Sequence, residues 1–403
     1  MTRREINNPP SDPFFRNVTL ALLFLMIPVS ALAQEKQDMV DLNGYLTGMQ
    51  TIIFEDVDED WINENLFHNR LNLNLYPTKN LSASIQLRNR LIYGDMVETG
   101  AGYAEGFDRD NGWLDLSCNL FSGNSYVLNS AIDRLWIQYT AGNFVGTAGR
   151  QRINWGQSLV WNPNDLFNVY SYFDVDYIER PGSDAIRLQY YPGYTSTVEL
   201  AAKLDSSNKA TAAALFRFNV LGYDLQFIGG ILSEKDYVAG LGWSGNLWKA
   251  SFRGEFSYFQ NIENFRDTSG MVLASAGLDY SFSNSLMLQF EFLYSSKSYM
   301  PSGGFLGYYA SPMNVKSLAF TEYSLFASAS YPVTPLFQGT LAAMYFPGLK
   351  GAFAGPNLTY NMLENLDLSF FIQFFTAELE DPSTHEKQRQ NITLTFLRLK
   401  WSF

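Results

Sequence analysis

The residues in this chain with chemical potential are charges and rings rather than nucleophiles or metal ligands. "GRQRINWG", Gly149 to Gly156, places Arg150 and Arg152 on alternate positions. The segment after it, "QSLVWNPNDLFNVYSYFDVDYIERPG", carries Asp165, Asp174, Asp176, Glu179 and Asp184 among Trp161, Phe167, Tyr170, Tyr172, Phe173 and Tyr177. Guanidinium groups pair bidentately with carboxylates, and aromatic faces stack on cations or sugar rings. A Ser/His nucleophile would need one of the two histidines, but His68 stands beside Arg70 on a polar face and His385 lies in the solvated "DPSTHEKQ". Catalysis is therefore disfavoured. The single cysteine, Cys118, excludes an internal disulfide framework, and two histidines with one cysteine leave no Cys/His metal centre. No metal or cofactor is expected. The acidic run "EDVDEDWINEN" lacks the glycine and spacing of a calcium loop and reads as solvated surface.

The elements that must position these side chains are strands. In "LNLNLYP", Leu71, Leu73 and Leu75 alternate with Asn72 and Asn74, and in "LDLSFFIQFF" Leu366, Leu368, Phe370, Ile372 and Phe374 share one face. Such period-two patterns make half-apolar strands. They recur from near Leu42 to Phe403 and predict about 18 strands (16–18) at roughly 20 residues each, as in large membrane barrels. Connections alternate between short ("YPTKN", "TAGN", "YPGYT", "NVLG", "SGN", "FSNS", "YPVTP", "LEN") and longer ones. Rings of outward parity at Tyr139, Tyr190, Tyr223, Trp248, Tyr280, Tyr331 and Trp401 sit beside the short turns, where a girdle meets lipid headgroups. The predicted fold is all-β: a transmembrane, antiparallel, up-and-down barrel.

Composition agrees. Aromatic residues make up 16% and charged residues 17%, with a net charge of −12 and no basic block to meet phosphates, which argues against nucleic-acid binding. Residues 1–33 read as a cleaved signal peptide, with Arg3, Arg4 and Arg16 before the apolar run Val18 to Val29 and the small-residue site Ala31-Leu32-Ala33. Nothing divides residues 34–403, which are expected to form a single transmembrane barrel domain. No later stretch is apolar for long enough to cross a membrane as a helix.

The chain ends "FLRLKWSF", with Leu397, Leu399, Trp401 and Phe403 alternating. This resembles the C-terminal strand signal of outer-membrane proteins, which implies that Trp401 and Phe403 engage the barrel-assembly machinery. Over essentially its whole mature length the chain resembles porin-type outer-membrane β-barrels. "GRQRINWGQS" is similar to the strand-to-loop element of several porin-like families, including alginate-export-type barrels. The resemblance implies a Gram-negative outer membrane, contact with its lipid, and an inward-folded third extracellular loop that narrows the channel. The loop residues in question are Trp161, Asp165, Tyr172, Asp174, Asp176, Tyr177 and Glu179.

Parity then sends Arg70, Arg88, Arg90, Arg134, Arg150, Arg152 and Arg187 into the lumen, five successive strands each giving an inward arginine. A basic wall facing an acidic, aromatic loop would orient polar solutes in a transverse field. The plainer reading is that these arginines pair with the loop carboxylates and pin the loop. The expected function is passive diffusion of small hydrophilic solutes, with a preference for anionic or sugar-like ones. A non-transporting structural or adhesive barrel is the alternative, and an outer-membrane hydrolase stands further back. One misfit remains, because the same parity sends Asn89, Asn129, Asp133 and Gln151 toward lipid, with small Ala83, Ala131, Thr147 and Gly149. Either a β-bulge reverses the parity, or these strands face another subunit, as in the trimers of the porins this chain resembles.

Overall fold

The computed structural model describes residues 39–58, 61–100, 102–177, 179–299, 313–380 and 386–403; the leader 1–33 and His385 lie outside the described residues. Its strands are β1 (Val40–Phe54), β2 (Ile62–Thr78), β3 (Leu81–Gly94), β4 (Ser117–Ser122), β5 (Tyr126–Ala141), β6 (Phe144–Gln151), β7 (Ser183–Gly193), β8 (Ser196–Leu204), β9 (Ala210–Val220) and β10 (Tyr223–Leu232). They continue as β11 (Asp236–Leu247), β12 (Ala250–Asn261), β13 (Met271–Ser281), β14 (Met287–Ser295), β15 (Tyr323–Thr334), β16 (Phe337–Phe346), β17 (Gly351–Leu363), β18 (Leu366–Glu380) and β19 (Lys387–Ser402). All except β4 form a closed, antiparallel barrel of 18 strands, and β19 pairs with β1 from Tyr45↔Ser402 to Phe54↔Thr393. Closure leaves no unpaired edge, the condition for strands to stand in hydrocarbon. Exposed Leu188, Leu200, Phe290 and Leu341 belong to the apolar outer band. The short turns use the backbone freedom that tight hairpins require, as at Leu221 (φ 53°) and Gly222 (φ 80°).

β4 solves a local problem. β6 pairs with the lower half of β5, from Ala141↔Phe144 to Leu135↔Arg150, and then the chain leaves the wall. The upper half of β5 would be left with bare amides and carbonyls on that side. β4 pairs there instead, from Ser117↔Ala131 to Ser122↔Val127.

Strict alternation fails at one point. In the β3–β5 ladder the register steps from Gln86↔Arg134 to Leu87↔Ile132, so Asp133 is an extra residue and parity reverses above it. Asn129 and Ala131 therefore share the inward row of Arg90 and Arg88. Asn129 accepts a hydrogen bond from Arg90 at 2.9 Å. The parity expected for β6 is also corrected. Thr147 lies opposite the inward Gln138 and accepts its amide at 3.0 Å, whereas Arg150 lies opposite outward Leu135 and so does not share the row of Arg134. Gln151 is buried, its amide on the carbonyls of Thr147 (3.2 Å) and Ala185 (3.1 Å). Asn89 does stay outward, hydrogen-bonded to Asn69 (3.3 Å) and Ser130 (2.8 Å).

Candidate constriction and solute cavity

Residues 152–177 and 179–182, of the third connection at the long-loop end, turn into the lumen and meet both walls. An irregular segment inside a barrel must find acceptors for its backbone N–H groups. Two wall glutamates supply them. Glu255 on β12 accepts the amides of Gln157, Ser158 (2.7 Å) and Asn164 (2.8 Å). Glu291 on β14 accepts those of Leu159 (2.9 Å), Val160 (3.1 Å) and Trp161 (2.7 Å). Gln226 donates to the Trp155 carbonyl at 2.7 Å and Ser257 to that of Pro163 at 2.9 Å. Trp155, 0% exposed, donates its indole N–H to Glu199 at 3.0 Å.

Beyond this crossing limb, Phe173 enters an aromatic cluster with Phe353 (ring centroids 5.1 Å), Phe375 (5.0 Å) and Phe320 (6.3 Å). The return limb then runs against β1, β2, β3 and β5 and is held by side chains. Arg88 lies 3.8 Å over the Tyr177 ring, His68 Nδ1 is 3.2 Å from Asp176, and the Tyr45 hydroxyl donates to Glu179 at 2.9 Å. Arg134 donates to the carbonyls of Glu179 (3.0 Å) and Arg180 (2.6 Å). Arg70 pairs with Asp133 and comes within 3.8 Å of Glu179. Burial pushes Asp165 up to about 6 and Tyr172 and Tyr177 up to about 12. Burial and the neighbouring Asp176 raise Asp174. For Asp176 burial acts upward too, but His68, Arg88 and Arg90 bring it below the usual carboxylate range.

On the long-loop side the limb floors a cavity of about 1370 Å³. Charges of both signs line it, among them Arg88, Arg90, Arg180, Lys203, Glu64, Asp174, Asp176 and Asp184, with Tyr103, Phe107, Tyr172 and Tyr177 among its rings. Among the described residues no cluster of three or more His, Cys, Asp or Glu could hold a metal ion.

No protein-family model matches the sequence, and no curated protein does. Solved structures are similar in fold. OccAB2 of Acinetobacter baumannii superposes with a TM-score of 0.57 at 12% identity, over 90% of this chain and 98% of that one. OccK11 (OpdR) of Pseudomonas aeruginosa gives 0.55 at 10% identity, over 90% and 96%, and OccK3 (OpdO) of Pseudomonas aeruginosa 0.53 at 12%, over 90% and 96%. These neighbours are Occ/OprD-family outer-membrane porins with 18-strand barrels. The chain has the fold of a porin-type outer-membrane β-barrel.

Within this porin-type barrel the seven arginines separate into groups. Arg88 and Arg90 face the cavity, and Arg70 and Arg134 hold the return limb. Arg150, 6% exposed, is closed in by Asp110 (2.6 Å), Asp184 (2.7 Å) and the Leu114 carbonyl (2.6 Å), while Arg187 pairs with Glu199 at 2.7 Å. Arg152 sits near Arg180 and Asp165, and its Nε finds no hydrogen-bond partner among the described residues. Of the loop residues, Tyr172, Asp174, Asp176 and Tyr177 line the cavity, whereas Trp161 and Asp165 are buried and Glu179 meets Tyr45. Phe403 exchanges backbone hydrogen bonds of 3.0 Å with Gly44 at the β1–β19 seam, its ring 5.3 Å from that of Trp401.

Sequence reasoning missed Glu255 and Glu291, and it singled out Asp133 only as a misfit that a bulge could explain, which is what the β3–β5 register shows. A signal existed for the glutamates: each is a lone inward carboxylate beside outward rings, Glu255 just before Phe256 and Tyr258 and Glu291 between Phe290 and Phe292.

Proposed function

We propose that this chain is a passive channel in the outer membrane of a Gram-negative bacterium, admitting small hydrophilic solutes. The reading rests on one observation: a closed barrel with an apolar outer face carries a loop across its lumen beneath a large, charged cavity. A loop with so many attachments sets an aperture. In this reading residues 1–33 are removed on export, residues 34–403 form the single barrel domain, and Trp401 and Phe403 serve recognition by the barrel-assembly machinery. The basic wall in this reading is Arg70, Arg88, Arg90, Arg134, Arg152 and Arg187, without Arg150, whose charge is met by Asp110 and Asp184, and it gives a preference for anionic or sugar-like solutes. Its support is strongest at Arg88 and Arg90, which face the cavity. The protein is a transporter and performs no bond chemistry.

The test is conductance and reversal potential of the purified protein in a planar bilayer. Discrete openings are expected, and a bilayer silent under all conditions would favour a structural barrel. We also propose a homotrimer, supported by the outward, mutually bonded Asn69, Asn89 and Ser130, because polar groups on a lipid-facing row gain partners at a subunit interface. Asn89→Leu should turn a native oligomer into monomer on a mild-detergent gel with the barrel folded. A wild-type monomer removes this part of the reading.

A further inference from the structure

Two carboxylates of the wall that the channel reading does not use each accept three loop amides, Glu255 those of Gln157, Ser158 and Asn164 and Glu291 those of the consecutive Leu159, Val160 and Trp161. Glu255 is 0% exposed and Glu291 4%. A carboxylate has two oxygens and about four lone-pair sites, so accepting three N–H bonds nearly exhausts it. Charge-assisted bonds of this kind are roughly twice as strong as neutral ones. Both glutamates stand on rigid, paired strands, β12 held by β11 and β13 and β14 by β13 and β15. Six backbone amides of an irregular segment are thus fixed to two strand positions.

We propose that Glu255 and Glu291 are the positioning residues of the constriction, a latch that captures the backbone of the crossing limb and so sets the aperture of the channel. The limb turns its N–H groups toward the wall as two anion-binding concavities, and the protein fills each with a tethered carboxylate. Ser158 and Ser275, with hydroxyls 2.8 Å apart, and Ser257 with Asn164 at 2.8 Å complete the same contact line. The conductance part of the test rests on the channel reading, and hydrogen exchange does not.

The experiment compares wild type, Glu255→Ala and Glu291→Ala, each checked for the heat-modifiable folded band, with Glu255→Gln and Glu291→Gln as variants of matching shape should either alanine protein fail to fold. In hydrogen exchange, the amides of Gln157, Ser158 and Asn164 should exchange about tenfold faster or more in the first, and those of Leu159, Val160 and Trp161 in the second, with strand amides unchanged. Single-channel conductance should rise and become noisy in both. Formate, a free carboxylate small enough for the vacated space, should restore slow exchange and quiet openings in the alanine variants, and chloride should not. Unchanged exchange at the six amides in a folded variant overturns the latch. Faster exchange with wild-type conductance also overturns it, because the latch then does not set the aperture. A wild type that never conducts refutes the channel reading instead, and the exchange pattern with its formate rescue still decides whether the carboxylates hold the limb.

Discussion

On the β12–β14 side of the lumen the loop is held through its backbone, by Glu255 and Glu291. On the β1–β5 side it is held mainly through its side chains, by Arg88 on Tyr177, His68 on Asp176 and Tyr45 on Glu179, with Arg134 on two loop carbonyls. Backbone capture is indifferent to the loop's sequence, because every non-proline residue offers the same N–H. Side-chain capture is not. The crossing limb can therefore vary at positions such as Leu159 and Val160 more freely than at Trp155, Ser158 and Asn164, whose side chains also bond the wall, while the return limb, which floors the cavity, fixes both its position and its chemistry with the same residues. Selectivity and stability are coupled on one side of this barrel and separate on the other.

The comparison breaks hardest at Arg70, 0% exposed between Asp133 and Glu179. Arg70→Ala leaves the buried Asp133 carboxylate with Arg88 alone, at 3.5 Å, and should cost about 3 kcal/mol in urea unfolding of the folded barrel. Part of that loss should return in the double variant with Asp133→Ala, since the stranded charge is then gone. A loss below about 1 kcal/mol would mean that water replaces the guanidinium and that the return limb is not held by charge.

A smaller effect separates the cavity arginines from the closed-in ones. Arg88→Ala should move the reversal potential toward cations, because Arg88 faces the cavity. Arg150→Ala should leave the reversal potential unchanged while lowering stability, because its charge is spent on Asp110 and Asp184. Equal shifts in both variants would show that Arg150 also faces the solute.

The smallest effect is a pH dependence at Asp165, 0% exposed, whose carboxyl is pushed up to about 6 by burial. A raised value means the folded state binds this proton more tightly than the unfolded chain, so ionisation of Asp165 opposes folding above about pH 6 and is relieved as pH falls through 6. Stability in urea should therefore drift downward as pH rises from the ordinary carboxylate range, about 4, to about 6. Asp165→Asn should abolish the drift; a drift that survives the substitution belongs to another group.

Much of this was legible in the chain. Alternation such as Leu71, Leu73 and Leu75 against Asn72 and Asn74 dictates which face is apolar, because side chains on a strand alternate whatever the partner. Short turns alternating with long connections give the up-and-down order, and with it the 18-strand barrel. The acidic and aromatic content of residues 156–182 could be read, as could the inward rows of Arg88 and Arg134. What the sequence could not determine is where that alternation slips and what meets across the lumen. Asp133 reads as lipid-facing until the β3–β5 register inserts it as a bulge between Arg70 and Arg88. Arg150 reads as luminal until the ladder sets it opposite Leu135. Glu255 lies 91 to 98 residues beyond the amides it holds, and Glu291 130 to 132 beyond its own. No local pattern encodes such a meeting. The period of a strand is a property of its own backbone, whereas a register shift or a contact across the barrel exists only once every intervening strand has closed the ring.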